Sequence, residues 1–140
     1  MTRAKKANPE VPVDRLVREA RKAMKRAYNP YSGFAVGAAI ATAEGVIVTG
    51  CNVENASYGH TICAERTAAV KAVSEGHRRF QRIAIVSSSP EPVAPCGACR
   101  QFLYEFAPDL EIVMAGRRTR RTVKLGEILP LAFGPSDLGR

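Results

Sequence analysis

The chain has 140 residues, 46% of them hydrophobic and 24% charged, a balance that suits one folded domain and excludes a mainly disordered or fibrous chain. A single core at that length buries roughly two-thirds of the surface that the unfolded chain exposes. The formal net charge of +8 suits a polyanionic partner only if the cations share a face.

The cations fall in two groups. One runs from "MTRAKK" through Arg15, Arg18, Arg21, Lys22, Lys25 and Arg26; the other is "GRRTRRTVK" at 116–124. A basic tail, a solvated helix face and a basic turn account for them. "MTRAKKANPEVP" carries charge with no apolar stretch behind it and does not read as a secretory leader. The longest apolar run, "FAVGAAIATA", is shorter than the ~18 residues of a membrane-spanning helix. The expected compartment is the cytosol, where four cysteines serve as thiols or metal ligands rather than disulfides.

After a basic start at 1–12 that is expected to be disordered, one domain is expected over 13–140. "VDRLVREARKAMKRAY" places Leu16, Val17, Ala20, Ala23, Met24 and Ala27 at helical spacing, with Asp14 near its beginning. "NPYSG" breaks the helix, and "FAVGAAIAT" and "VIVTGCN" then flank the turn "AEG" as a β-hairpin. The polar loop "VENASYGHT" delivers Cys63 to the start of a helix, "CAERTAAVKAVSEG", that Gly76 ends. "RIAIVSSS" reads as a buried strand, Pro90, Pro92 and Pro95 as a turn, and "CGACRQFLYEF" as another helix. "LEIVMA" is a strand, "TVKLGEIL" a short strand running into a short helix, and "PLAFGPSDLGR" an irregular tail. This order predicts an α/β sandwich with one mixed β-sheet covered by helices.

Cys96 and Cys99, three apart at a helix start, place two sulfurs in one first turn, close enough to clasp a tetrahedral ion. Such a pair serves as a redox dithiol, as half of a structural zinc site, or as two ligands of a catalytic zinc. Further ligands must come from Cys51, His60, Cys63 or His77. Cys63 is the strongest, because it too begins a helix, whose N-terminus favours the thiolate. His77 follows a helix and is expected to be exposed, and Cys51 ends a strand as a small buried hydrophobe. Completion of a four-ligand structural site by His60 or Cys51 stays open. Glu65, two residues after Cys63 in the same first turn, can reach a zinc-bound water without binding the metal; alone it would be an ordinary helix-dipole partner.

"CAE" followed by "PCGAC" fits the zinc deaminase signature, with cysteine in the place of its first ligand. Together with "YSGFAVGAAI", "GCNVENASYG", "TICAERTA", "PCGACRQ" and "ILPLAF", the chain resembles the small cytidine deaminases from about Tyr28 to Leu138. The resemblance implies the three-layer fold of that family and one Zn²⁺ per subunit on Cys63, Cys96 and Cys99, with Glu65 as proton shuttle. It also implies Arg66 beside the thiolates, offsetting their excess negative charge.

The implied reaction is hydrolytic deamination of cytidine and deoxycytidine to uridine and deoxyuridine with release of ammonia, in pyrimidine salvage. Glu65 acts first as base and then as acid. Phe34 would pack on the pyrimidine, Asn52 and Glu54 would bond the ribose hydroxyls, and Ala64 would offer its backbone N–H to the base. Tyr58 and Phe133 match positions that reach a neighbour's pocket in a homotetramer.

Two rivals remain. One is a deaminase of a cytosine-nucleoside antibiotic resembling blasticidin S, against which "NVENASYG" retains the matched Asn52 and Glu54. The other is a non-enzymatic, zinc-stabilised nucleic-acid-binding protein, motivated by the net charge. The absence of interleaved aromatic and basic residues argues for a free nucleoside, and nucleic acid is not the expected partner; the basic ends leave contact with RNA or another anion open.

Overall fold

The computed structural model describes residues 10–140. Five strands form one sheet in the order β2-β1-β3-β4-β5, where β1 is Val36–Thr42, β2 Ile47–Cys51, β3 Phe80–Ser87, β4 Glu111–Ala115 and β5 Arg120–Lys124. The β1/β2, β1/β3 and β4/β5 pairs are antiparallel and β3/β4 is parallel, so the sheet is mixed, as expected.

Side-chain alternation divides this sheet into two cores. Ala39, Ala41, Ala84, Val86, Val113 and Ala115 face helix α1, Val13–Met24, which contributes Leu16, Val17 and Ala20. Ile40, Ile83, Ile85, Ile112 and Met114 face the other way. There they meet the alanines of α2, Ala64–Ser74, and Leu103 of α3, Gly97–Tyr104. The central strands are apolar on both faces because helices cover both. A short α4, Leu125–Ile128, closes the second layer.

Small residues set how closely the helices approach. A Cβ on Gly37 would lie 2.1 Å from the Ala20 carbonyl oxygen in α1, and one on Gly50 would lie 2.5 Å from the Ala68 nitrogen in α2. Both neighbours are helix backbone, which cannot swing aside. Gly50 therefore lets the first turns of α2 sit directly against the edge strand, and this seating fixes where Cys63 and Glu65 end up.

Three boundaries differ from the sequence expectation. The Asn52 side chain takes the hydrogen-bonding groups of the segment expected to begin β1, donating from Nδ2 to the Phe34 carbonyl and accepting from the Val36 N–H, both at 2.8 Å. The strand consequently begins at Val36, and Phe34 is left outside the ladder. Helix α1 ends at Met24 rather than near Tyr28, because Tyr28 turns to bridge Val53. At the other end of the sheet β5 begins at Arg120, paired with Ala115.

Of the segment 1–12, residues 1–9 lie outside the described residues. Val11 is 3% exposed, and its carbonyl accepts a hydrogen bond from the Arg82 guanidinium at 3.1 Å. Among the described residues no helix is long and apolar enough to cross a membrane.

Candidate metal centre

Cys63 and Cys96 are the N-cap residues of α2 and α3. Neither cap is closed by a side-chain hydrogen bond to the helix. Both helix starts converge, so that the sulfurs of Cys63, Cys96 and Cys99 lie within 4.8 Å of one another. Cys63 Sγ is 3.8 Å from Cys96 Sγ, and Cys96 Sγ is 3.4 Å from Cys99 Sγ. A disulfide would need about 2 Å, and all four thiols are free. Zn–S bonds of about 2.3 Å in a tetrahedral arrangement put sulfurs about 3.8 Å apart, so the three donors fit zinc in both chemistry and spacing.

Among the described residues this group has three members. Cys51 is half-buried, with its Sγ 3.5 Å from the Arg26 carbonyl oxygen. His60 is held in a short 3₁₀ turn by Ser57 Oγ, 2.9 Å from its Nδ1. Neither belongs to the cluster. His77, expected to be exposed, has only 20% of its side chain exposed and lies 3.3 Å from Glu44. It packs under the β1/β2 turn because its backbone N–H caps α2 at the Ala72 carbonyl. A zinc held by these three protein donors alone would keep a coordination position open for water, the pattern of a catalytic rather than a structural zinc.

The electrostatics of the cluster are uneven. Cys63 is lowered to about 5, first by a hydrogen bond from Cys99 and then, against the cost of burial, by Arg66. The Arg66 guanidinium is 3.6 Å from Cys63 Sγ and 3.5 Å from the Thr61 carbonyl. Cys99 is pushed strongly upward by the same bond to Cys63, with burial adding to it. Glu65 is 4% exposed. Burial raises its pKa, with the Cys63 charge adding to the effect and a hydrogen bond with Cys99 opposing it. A buried carboxyl with a raised pKa beside a metal-ligand cluster is suited to take up and return a proton.

A cleft of about 300 Å³ opens onto this centre. Cys63, Ala64 and Glu65 lie at its head, and Phe34, Asn52 and Glu54 along its wall. Phe34 is 39% exposed. Asn52, though tied to the backbone at both ends of its amide, retains by count one N–H and one acceptor site. Glu54 Oε1 accepts from the N–H groups of Tyr31 and Ser32 at 2.9 and 3.1 Å, and the Ser32 hydroxyl bonds its other oxygen.

Tyr58 and Phe133, by contrast, are outward-facing, at 73% and 57% exposure. Tyr58 stacks edge-on with Tyr31 at 5.7 Å and lines a hollow adjoining the cleft, while the Phe133 carbonyl accepts from Gln101 on α3 at 2.8 Å. The sequence reading missed Ser32. Its only local signal is its place two residues before Phe34, since nothing along the chain pairs it with a carboxylate 22 residues away.

A mixed sheet that brings two cysteine-bearing helix starts and a buried carboxyl to one cleft places the molecule among α/β proteins with a metal-binding centre open to a cleft. Residues 12–115 match the family described as "Cytidine and deoxycytidylate deaminase zinc-binding region". The chain is 46% identical to the cytidine deaminase of Sporosarcina psychrophila over 130 residues, covering 90% of this chain and 94% of that one. A solved cytidine deaminase from Burkholderia pseudomallei is 46% identical, with a TM-score of 0.85 over 88% of this chain and 100% of that chain. One from Mycobacterium tuberculosis is 43% identical, with a TM-score of 0.78 over 89% and 99%. The chain belongs to the zinc-dependent cytidine and deoxycytidylate deaminase family.

Proposed function

We propose that this protein hydrolytically deaminates free cytidine and deoxycytidine, giving uridine or deoxyuridine and ammonia, as a step of pyrimidine salvage. The observation that carries the reading is the buried Glu65 carboxyl beside a three-sulfur cluster at the head of a nucleoside-sized cleft. Cys63, Cys96 and Cys99 would hold zinc, which supplies a Lewis acid that makes water acidic near neutral pH.

The protein's own groups do the rest. Glu65 takes a proton from water and delivers it to ring N3, which makes C4 electrophilic. After the hydroxide oxygen adds at C4, the same carboxylate takes the remaining proton from that oxygen and passes it to the exocyclic nitrogen; the C4–N bond breaks as the C4 carbonyl forms, releasing ammonia. Burial suits both proton transfers, because a carboxyl with a raised pKa holds a proton more readily than a solvated one, yet releases it to a more basic amine. Arg66 offsets the negative charge that three thiolates leave in excess over a divalent ion.

Phe34 packs on the base, and the Ala64 N–H, at the start of α2, is available to it. Asn52 and Glu54 bind the sugar. Burying the Asn52 amide with hydrogen-bonding capacity unmet is costly, and a ribose edge satisfies it. Tyr58 and Phe133, left solvent-facing in one chain, suit completion of a neighbouring subunit's pocket in a homotetramer. Four free thiols suit the reducing cytosol.

The decisive experiment follows uridine formation from cytidine by the zinc-loaded protein and by Glu65→Gln. The variant is expected to keep one zinc per chain and to lose at least ~10³-fold in turnover. Turnover by the variant near the parent rate would sink Glu65 as the shuttle, and absence of turnover by the zinc-loaded parent would sink the assigned substrate.

A further inference from the structure

Helix α1 is the only helix on its side of the sheet among the described residues, and its apolar side chains are committed to the core. Its outer surface is strongly basic. Asp14 on that surface is engaged by Arg120 from β5, and Glu19 by Lys22 at 3.2 Å. Arg15, Lys25 and Arg26 are exposed and make no ion pair among the described residues, and exposed Arg18 is attracted to Asp14 without a close ion pair.

The second basic segment joins this surface. The Arg21 guanidinium donates to the Gly116 carbonyl at 2.9 Å, which fastens the base of the β4/β5 hairpin to α1. The Arg120–Asp14 pair fastens its second strand. Exposed Arg117 and Arg118 at the hairpin turn thus extend the helix surface. At the sheet edge a hollow of about 220 Å³ between α1, β2 and α2 is lined by Glu19 together with Lys22, Arg26 and Lys71. The two groups that are far apart along the chain therefore form one band, about 18 Å long along a 12-residue helix.

We propose that this α1–hairpin face binds the phosphodiester backbone of a nucleic acid without reading its sequence. Arginines dominate the band's unpaired cations, and the guanidinium fork matches phosphate oxygens. None of the exposed large apolar side chains lies on α1 or on the hairpin. A membrane surface would need such an anchor, and a stable protein interface would need such a centre. The lack of interleaved aromatic residues, which argues against a stacked single strand, is no obstacle to backbone contact. The metal centre opens from the α2/α3 layer on the other side of the sheet, so binding here leaves the cleft free.

The test uses the 140-residue, zinc-loaded chain and fluorescence anisotropy with random-sequence RNA and DNA duplexes of about 20 base pairs. Four engaged phosphates imply a log K against log salt slope near −3.6, a loss of roughly 150-fold between 50 and 200 mM salt. Two double variants, Arg15→Gln/Arg18→Gln and Arg117→Gln/Arg118→Gln, are each expected to flatten the slope by about 1.8. Their melting temperatures and cytidine turnover should stay unchanged. RNA and DNA duplexes should bind alike, since the backbone is the shared feature. No binding at 50 mM salt, or binding that neither double variant weakens, would overturn the proposal. Equal binding to vesicles containing phosphatidylserine, or a strict requirement for single strands, would also overturn it.

Discussion

The hydroxyl and backbone amide of Ser32 both bond the carboxylate of Glu54, one oxygen each, and the Tyr31 amide adds a third donor. The Ser32 hydroxyl also accepts from the Phe34 N–H at 3.0 Å, so a single side chain ties the carboxylate proposed to bind the sugar to the residue proposed to cover the base. These donors, the Ser32 hydroxyl foremost, hold the Glu54 pKa below its ordinary value.

Ser32→Ala should therefore raise KM for cytidine by about five- to tenfold while leaving kcat within about twofold, because one charge-assisted bond is lost. A nucleoside lacking the 2′ and 3′ hydroxyls should be indifferent to the change, and Ser32→Thr should restore cytidine binding. The pH sense is fixed as well. A lowered carboxylate pKa keeps Glu54 ionised until the pH falls through that folded value; in Ser32→Ala, protonation begins at higher pH. Carbon-detected NMR titration of the Glu54 carboxyl reads this directly, and an unshifted titration would remove Ser32 from this role.

Gly50→Ala should destabilise the fold and disturb the centre together. The new methyl would meet the Ala68 nitrogen at 2.5 Å and the Ala64 carbonyl oxygen at 2.7 Å, forcing α2 outward at a cost of about 1–3 kcal/mol. Gly126→Ala in α4 is the matched control. Nothing lies within 4 Å of its added Cβ, and it should be neutral or gain up to ~1 kcal/mol from lower unfolded-state entropy. Urea unfolding of both variants, with zinc content measured alongside, separates seating of α2 from a general effect of alanine.

Cys51→Ala should bind a full equivalent of zinc, and Cys99→Ala should not. The Cys51 sulfur bonds the Arg26 carbonyl, away from the cluster, whereas Cys99 is fully buried within it. Metal analysis after dialysis against a weak chelator distinguishes them. Zinc loss from the Cys51 variant would point to a four-cysteine structural site.

Leu16→Ala should cost about 2–5 kcal/mol, since this side chain is fully buried between α1 and the sheet. Zinc stoichiometry of the folded fraction should be unchanged, because the ligands lie in the opposite layer. Chemical unfolding and metal analysis on one sample check both halves.

Much of the site was legible locally. Cys96 and Cys99 share a helix start because three residues span nearly one turn, and Glu65 follows Cys63 into the first turn of α2 for the same reason. The short apolar run in "RIAIV" and the periodicity in "VDRLVREARKAM" indicated element types, since each reflects which side chains must leave water. Boundaries were less legible wherever a distant side chain competed for the backbone: Asn52 shortened β1, and no local pattern announces a partner 16 or 18 residues away.

By itself, then, the sequence determined the donor types, their helix-start positions and the family they indicate, because those depend on short-range geometry. Only the tertiary structure decided that Cys51 and His60 stay out of the three-sulfur group, that Glu65 is buried, and that Ser32 holds Glu54. It also decided that two basic segments some 90 residues apart meet across α1, with Arg21 bonded to Gly116, a sequence separation of 95. Strand order β2-β1-β3-β4-β5 and the close seating of α1 and α2 on glycines bring those groups together. Proximity of that kind arises from packing of the whole sheet, which no stretch of chain carries alone.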